Sequence, residues 1–172
     1  ISDPGLLLVK EAISLGIKIS PLPGPSSVTA ALSVSGFNSD NFIFVGFPPR
    51  KKNERLNFIK NLVKEQRTLI LFESGMRIKK LLEDISENFP QKNIFIAREI
   101  SKMYETFYRG EIKEIIDELS ESKFGSKGEF VLVFEEINKK NNFESEISED
   151  GVRILKLLVD HLPNNDAMVL AS

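Results

Sequence analysis

Four short stretches place charged or hydroxyl side chains where chemistry could be done. Arg98, Glu99, Lys102 and Glu105 cluster directly after an apolar run at 93–98. Such a cluster could orient a substrate hydroxyl and take its proton; the plainer alternative is a solvated loop with weak ion pairs. In FESGMR (72–77), Glu73 and Ser74 stand at the end of a second apolar run. Ligand sites of open α/β sheets lie at such strand ends; otherwise this is a capped helix start with Arg77 on the surface. In PPRKKNER (48–55), Arg50, Lys51, Lys52 and Arg55 stand against Glu54. They could contact phosphates, or form a solvated first helical turn. Four cations at a helix N-terminus oppose the macrodipole, a local conflict that leans toward use. PLPGPSS (21–27) fixes a backbone path and sets the Ser26 and Ser27 hydroxyls at a helix N-terminus. That arrangement can meet an anionic or polar ligand, or serve as a hinge with an N-cap.

The elements that must carry these groups follow from periodicity. A helix is expected over 6–15, stopped by Gly16, then a short strand at 17–19. A helix over 28–35 ends at Gly36. Strands are expected at 42–47, 68–73, 93–98, 105–110 and 128–136. Helices are expected over 52–66, after Ser74, and after Gly110. In the helix after Ser74, Ile78, Leu81, Leu82 and Ile85 repeat at helical spacing. Near-continuous apolar strands separated by helices argue for an α/β layer covered on both faces.

Composition bounds the function. Lysine plus arginine against aspartate plus glutamate is 23 − 25 = −2, so global charge favours neither a nucleic-acid nor a membrane binder, and any basic site is local. The absence of Cys removes disulfides, thiolate metal sites and Cys nucleophiles. No apolar run is long enough to span a bilayer, so no membrane partner is expected. A reducing, cytoplasmic setting is the simplest reading. His161 is the only histidine, and no partners stand at metal-ligand spacing, so no metal is expected. Phosphate-loop, dinucleotide and nucleophile-elbow motifs do not occur.

In order and spacing, ISDPG (1–5), PLPGPSS with AALSVSG (30–36), FVGFPPRK (44–51), FESGMR, AREISKMYE (97–105) with YRG (108–110), and GEFVLVFE (128–135) resemble one family. It is the ribosomal RNA small-subunit methyltransferase I family, within the tetrapyrrole-methylase superfamily. The stretch from Asp150 onward is similar to that family's small C-terminal helical region. The resemblance implies the C-terminal half of a two-domain α/β fold, a mixed sheet flanked by helices, with S-adenosylmethionine between the domains. Residues 1–22 would be a remnant of the first, cofactor-cleft domain and 23–137 the second methyltransferase domain. Residues 138–149 would be a linker and 150–172 the start of the helical region. The chain is thus expected to be truncated at its N-terminal side, and to bind the cofactor weakly or not at all by itself.

The resemblance further implies 2′-O-methylation of a cytidine ribose in 16S rRNA of the small ribosomal subunit, by a homodimer. Transfer from a sulfonium to a ribose oxygen mainly needs alignment, and a base or a cation beside the hydroxyl helps. Glu99, Lys102 and Glu105 are assigned to the acceptor side. Ile1, Ser2, Asp3, Ser26, Ser27, Glu73 and Ser74 are assigned to the cofactor, and Arg50, Lys51, Lys52 and Arg77 to RNA phosphate. Pro48, Gly75, Met76 and Ser101 depart from the family pattern, which touches the pocket contacts. Two alternatives stand beside this reading: a tetrapyrrole (precorrin or sirohaem) methyltransferase, and a non-catalytic fragment that only dimerises or binds RNA.

Overall fold

Runs rich in β-branched and aromatic residues, TLILFES, NIFIAR and EFVLVF, pair in the computed structural model into one five-stranded sheet. The structure describes residues 4–88, 93–122 and 127–135. Their order is α1 (Leu6–Ser14), α2 (Ser27–Ser35), β1 (Phe42–Gly46), α3 (Lys52–Leu62), β2 (Thr68–Ser74), α4 (Gly75–Ser86), β3 (Asn93–Arg98), β4 (Thr106–Glu111), α5 (Ile112–Glu121) and β5 (Glu129–Phe134).

The strands lie in the order β1-β2-β5-β3-β4. β1 and β2 are parallel, while β5 is antiparallel to both β2 and β3, and β4 is antiparallel to β3. β1, β2 and β3 therefore point the same way. Ser74 pairs with Glu129 and Arg98 with Phe130, so the ends of β2 and β3 share one sheet edge with the start of β5.

Alternation along each strand divides the core between two faces. Leu69, Leu71, Ile94, Ile96, Phe130, Leu132 and Phe134 face α4 and α5, where Ile78, Leu81, Leu82, Ile85, Ile112, Ile115 and Leu119 complete the larger cluster. Ile70, Phe95, Ala97, Val131 and Val133 face α2 through Val28, Ala31 and Leu32. Each fully buried Leu, Ile or Phe here contributes roughly 1.5–3 kcal/mol relative to exposure. α2 ends with Gly36 at φ +79, and Arg109 of β4 donates to the carbonyls of Ser35 (3.1 Å) and Val34 (2.5 Å). That cation stands at the negative end of the helix and 5.0 Å from the Phe95 ring.

The expected fold class agrees with this mixed, helix-flanked sheet. Three local expectations need correction. Residues 17–19 form no strand, because among the described residues no neighbouring strand supplies a ladder there. The helix expected over 52–66 ends at Leu62, and the Glu65 carboxylate instead accepts from the Arg67 side chain and from the backbone N–H groups of Gln66 and Arg67. The Ser74 hydroxyl makes no cap bond to α4, although Ser74 occupies the N-cap position. α1 has no buried residue, and Leu7 and Leu8 are about three-quarters exposed (77% and 76%). The expected linker and C-terminal helix, with His161, lie outside the described residues.

Candidate active site

Four strand ends meet around one cavity of about 410 Å³. Phe47 enters from the end of β1, and Phe72, Glu73 and Ser74 from the end of β2. Glu99, Ile100 and Lys102 come from the turn after β3, and Glu129, Phe130 and Val131 from the start of β5. Ser27 reaches it from the first turn of α2. The volume is in the range of small-molecule sites.

The turn after β3 is unusually shaped. Glu99 (φ +50) and Ser101 (φ +62) both occupy the left-handed region, which side-chain-bearing residues seldom visit. Such strain persists only where surroundings enforce it. Here the Lys102 N–H donates to the Glu99 carbonyl (2.9 Å), the Glu105 N–H to the Lys102 carbonyl (3.1 Å), and the Ser101 N–H to the Glu105 carboxylate. The buried Arg98 side chain pins both flanks, donating to the carbonyls of Lys127 (2.8 Å) and Tyr104 (3.2 Å).

Lys102 lies between two carboxylates, with Nζ 2.9 Å from Glu99 Oε1 and 2.9 Å from Glu129 Oε2. Glu99 Oε1 also accepts the Glu129 N–H at 2.8 Å, and the Glu99 N–H donates to the Glu129 carbonyl at 2.9 Å. The Lys102 hydrogen bond, then the Glu129 backbone, holds the Glu99 carboxyl below the usual range. The hydrogen bonds that Lys102 donates to Glu129 and then to Glu99 raise its ammonium above its own usual value. At neutral pH this is a cation clamped by two anions, suited to holding a polar group rather than to accepting a proton. Gly128 closes the arrangement. Its φ is +103, and a Cβ there would lie 2.7 Å from Glu99 Cγ.

On the opposite wall Glu73 is 2% exposed. Its Oε1 accepts the Ser74 N–H (2.7 Å) and its Oε2 accepts from Arg77 Nη2 (2.8 Å). A carboxylate at the N-terminus of α4 suits the helix dipole. The first N–H of α4, on Gly75, is bound by the Gly128 carbonyl at 2.8 Å.

The cavity thus gathers Ser27, Glu73, Ser74, Glu99 and Lys102 of the residues expected from sequence. Ser26 precedes α2, next to Ser27, and Glu105 turns back onto its own loop. Ile1, Ser2 and Asp3 lie outside the described residues. Arg50, Lys51 and Lys52 are exposed at the entry to α3, where Lys51 pairs with Glu54 at 3.1 Å. Arg55, a cation of that cluster in the sequence, is buried instead against Asp84 at 2.6 Å. Arg77 bonds inward to Glu73 and to the Pro48 carbonyl. Glu129 was missed by sequence reasoning; its only signal is a charge at the first position of an apolar strand. Among the described residues no cluster of three metal-ligating side chains occurs, and no helix is long and apolar enough to cross a membrane.

Over the whole chain, 40% of residues are identical to a ribosomal RNA small subunit methyltransferase I of Xylella fastidiosa, and 39% to one of Haemophilus influenzae. A Thermotoga maritima protein of that name is 45% identical over 72% of the chain. The chain spans 62%, 61% and 55% of the lengths of those three proteins. Among solved structures, the cobalt precorrin-4 methyltransferase CbiF shares 17% identity with a TM-score of 0.55, over 76% of this chain and 57% of its own. The methyltransferase CobJ shares 14% with a TM-score of 0.57, over 80% and 60%. These last likenesses speak for the fold alone. The family profile described as Tetrapyrrole (Corrin/Porphyrin) Methylases matches residues 1–116, and the chain belongs to that family.

Proposed function

We propose that this chain is part of an S-adenosylmethionine-dependent methyltransferase acting on small-subunit ribosomal RNA, at the 2′-oxygen of a cytidine ribose in 16S rRNA. The observation that carries the reading is the 40% identity along the entire chain to a protein named for that subunit's RNA. The cavity supports it. Phe47, Phe72 and Ile100 offer an apolar wall, while Ser27, Glu73 and Ser74 offer polar groups, which fits a cofactor with a flat apolar part and a polar part. The residues at 1–3 belong to the same proposed cofactor set.

When bound, the cofactor supplies an electrophilic methyl group on a sulfonium. The protein's work is then alignment. Lys102 stays protonated, so it acts as a cation beside the ribose oxygen and stabilises the negative charge that grows on it as the hydroxyl proton passes to solvent water. Glu99 and Glu129 hold the ammonium in place. Glu105 fixes the turn through the Ser101 N–H. The exposed Arg50, Lys51 and Lys52 meet RNA phosphates. A homodimer in the cytoplasm completes the proposal, and sedimentation of the full-length protein tests its stoichiometry.

Methyl transfer from labelled cofactor by the full-length protein decides the matter. Transfer to undermethylated 30S subunits, and none to uroporphyrinogen, is the expected result; the reverse establishes the tetrapyrrole alternative. Lys102→Ala should reduce transfer at least a hundredfold, in the range of one lost electrostatic donor. Unaltered transfer by Lys102→Ala or Glu99→Ala removes that residue from the site.

A further inference from the structure

We infer that Arg77 is a positioning residue that ties the basic segment 48–52 to the carboxylate in the cavity wall; this rests on the RNA-methylating reading above. One nitrogen, Nη2, serves both sides, lying 2.6 Å from the Pro48 carbonyl and 2.8 Å from Glu73 Oε2. The Arg77 side chain is only 25% exposed and that of Glu73 only 1%. Both therefore sit largely out of water, where a charge-assisted bond keeps its strength and its geometry. A second arginine does the same two residues further on. Arg55 Nη1 donates to the Arg50 carbonyl at 3.0 Å and is anchored by the buried Asp84 carboxylate.

The backbone of the basic segment is thus held at Pro48 and Arg50 by arginines whose counter-charges are buried. The side chains of Arg50, Lys51 and Lys52 remain exposed for phosphates. Arg77 differs from Arg55 in its anchor, because Glu73 lines the cavity and Asp84 does not. A shift of segment 48–50 on engaging phosphate is therefore felt at the Glu73 carboxylate, and filling the cavity is felt at the segment. Such coupling is reciprocal, so whatever factor RNA applies to cofactor affinity, the cofactor applies to RNA affinity.

The test uses the full-length protein, with Arg77→Lys and Arg77→Gln. Lysine keeps the charge opposite Glu73, but its shorter stem and freely rotating ammonium do not hold both oxygens as the fixed planar guanidinium does, so it preserves folding while loosening the tie. Calorimetry gives the S-adenosylmethionine Kd, and methyl transfer to 30S subunits gives the RNA KM across a salt series. For Arg77→Lys we expect a Tm within a few degrees of wild type, cofactor affinity weakened about tenfold, a raised RNA KM, and an unchanged salt slope. Arg77→Gln should show the same two losses with a lower Tm. A salt slope reduced by about one with unaltered cofactor affinity makes Arg77 a phosphate contact and overturns the inference. Wild-type affinities in Arg77→Lys overturn it as well, leaving only a structural charge. Cofactor binding is measured without RNA. Failure of wild-type transfer to 30S subunits therefore sinks the RNA reading separately.

Discussion

The buried Arg55–Asp84 pair lends itself to a quantitative test. Arg55 Nε and Nη2 lie 2.7 and 2.6 Å from the same Asp84 oxygen, with side chains 9% and 3% exposed. Arg55→Met strands a buried carboxylate, whose remaining cation is the half-exposed Lys80 at 3.9 Å. Asp84→Ala strands a guanidinium with only the Arg50 carbonyl as a described partner. Removing one partner of a buried pair costs about 3–5 kcal/mol, and Lys80 puts Arg55→Met toward the lower end. Replacing both removes the uncompensated charge, so the double variant should lie within about 2 kcal/mol of wild type. The coupling energy is then about 4 kcal/mol or more. Chemical denaturation with a constant m-value measures it. In thermal melts each single variant should fall by roughly 10 °C. Additive losses in the double variant, or single losses below about 1 kcal/mol, would refute the argument that charge burial governs this site.

Four further outcomes are expected. Gly128→Ala should cost about 1–3 kcal/mol through backbone strain at φ +103 alone. Its effect should be milder in a Glu99→Ala background, where the crowded carboxylate is gone; equal effects in both backgrounds would refute the contact. Lys102→Gln removes the largest cause of the lowered Glu99 carboxyl, which should titrate back toward the usual range in carboxyl NMR. In wild type, the Glu99 contribution is present above its unfolded value and lost as pH falls through the folded one. The Lys102 contribution is present below its unfolded value and lost as pH rises through the folded one, so the clamp is whole at neutral pH. Glu65, held at about 2 by Arg67, should rise in Arg67→Gln. Its contribution is complete above the unfolded carboxylate range and lost as pH falls toward about 2, and salt should weaken it. Arg109→Ala should loosen the end of α2 by about 1 kcal/mol, read as faster amide exchange at 33–36.

Much of the layer was legible because its signals are local. Period-3.6 spacing in Ile78, Leu81, Leu82 and Ile85, and near-continuous apolar runs in three strands, require no knowledge of neighbours. The cavity residues at strand ends were legible for the same reason, since Glu73 and Glu99 follow apolar runs directly. Pairing was not legible. Residues 17–19 look like a strand, yet they have no ladder. The insertion of β5 between β2 and β3 depends on contacts far apart in sequence. Arg55 illustrates a signal that was available. It stands four residues before the buried Ile59, on the inward face of α3, so helical phase rather than charge count decides its fate. Glu129 enters the site only through its register with Ser74.

The position of β5 also sets a timetable. β1 and β2 share no ladder with β3 and β4 except through this last strand, which zips against Leu69–Ser74 on one side and Ile94–Arg98 on the other. Until it arrives, the parallel β1–β2 pair and the antiparallel β3–β4 pair each expose an open edge at the centre of the future sheet. After Glu111 at the end of β4, 134 − 111 = 23 further residues must be added to reach Phe134. That is roughly one to five seconds of synthesis. During that interval the nascent chain carries two unpaired hydrophobic edges, and its aggregation in the cell should be governed by how fast a single late strand finds its slot.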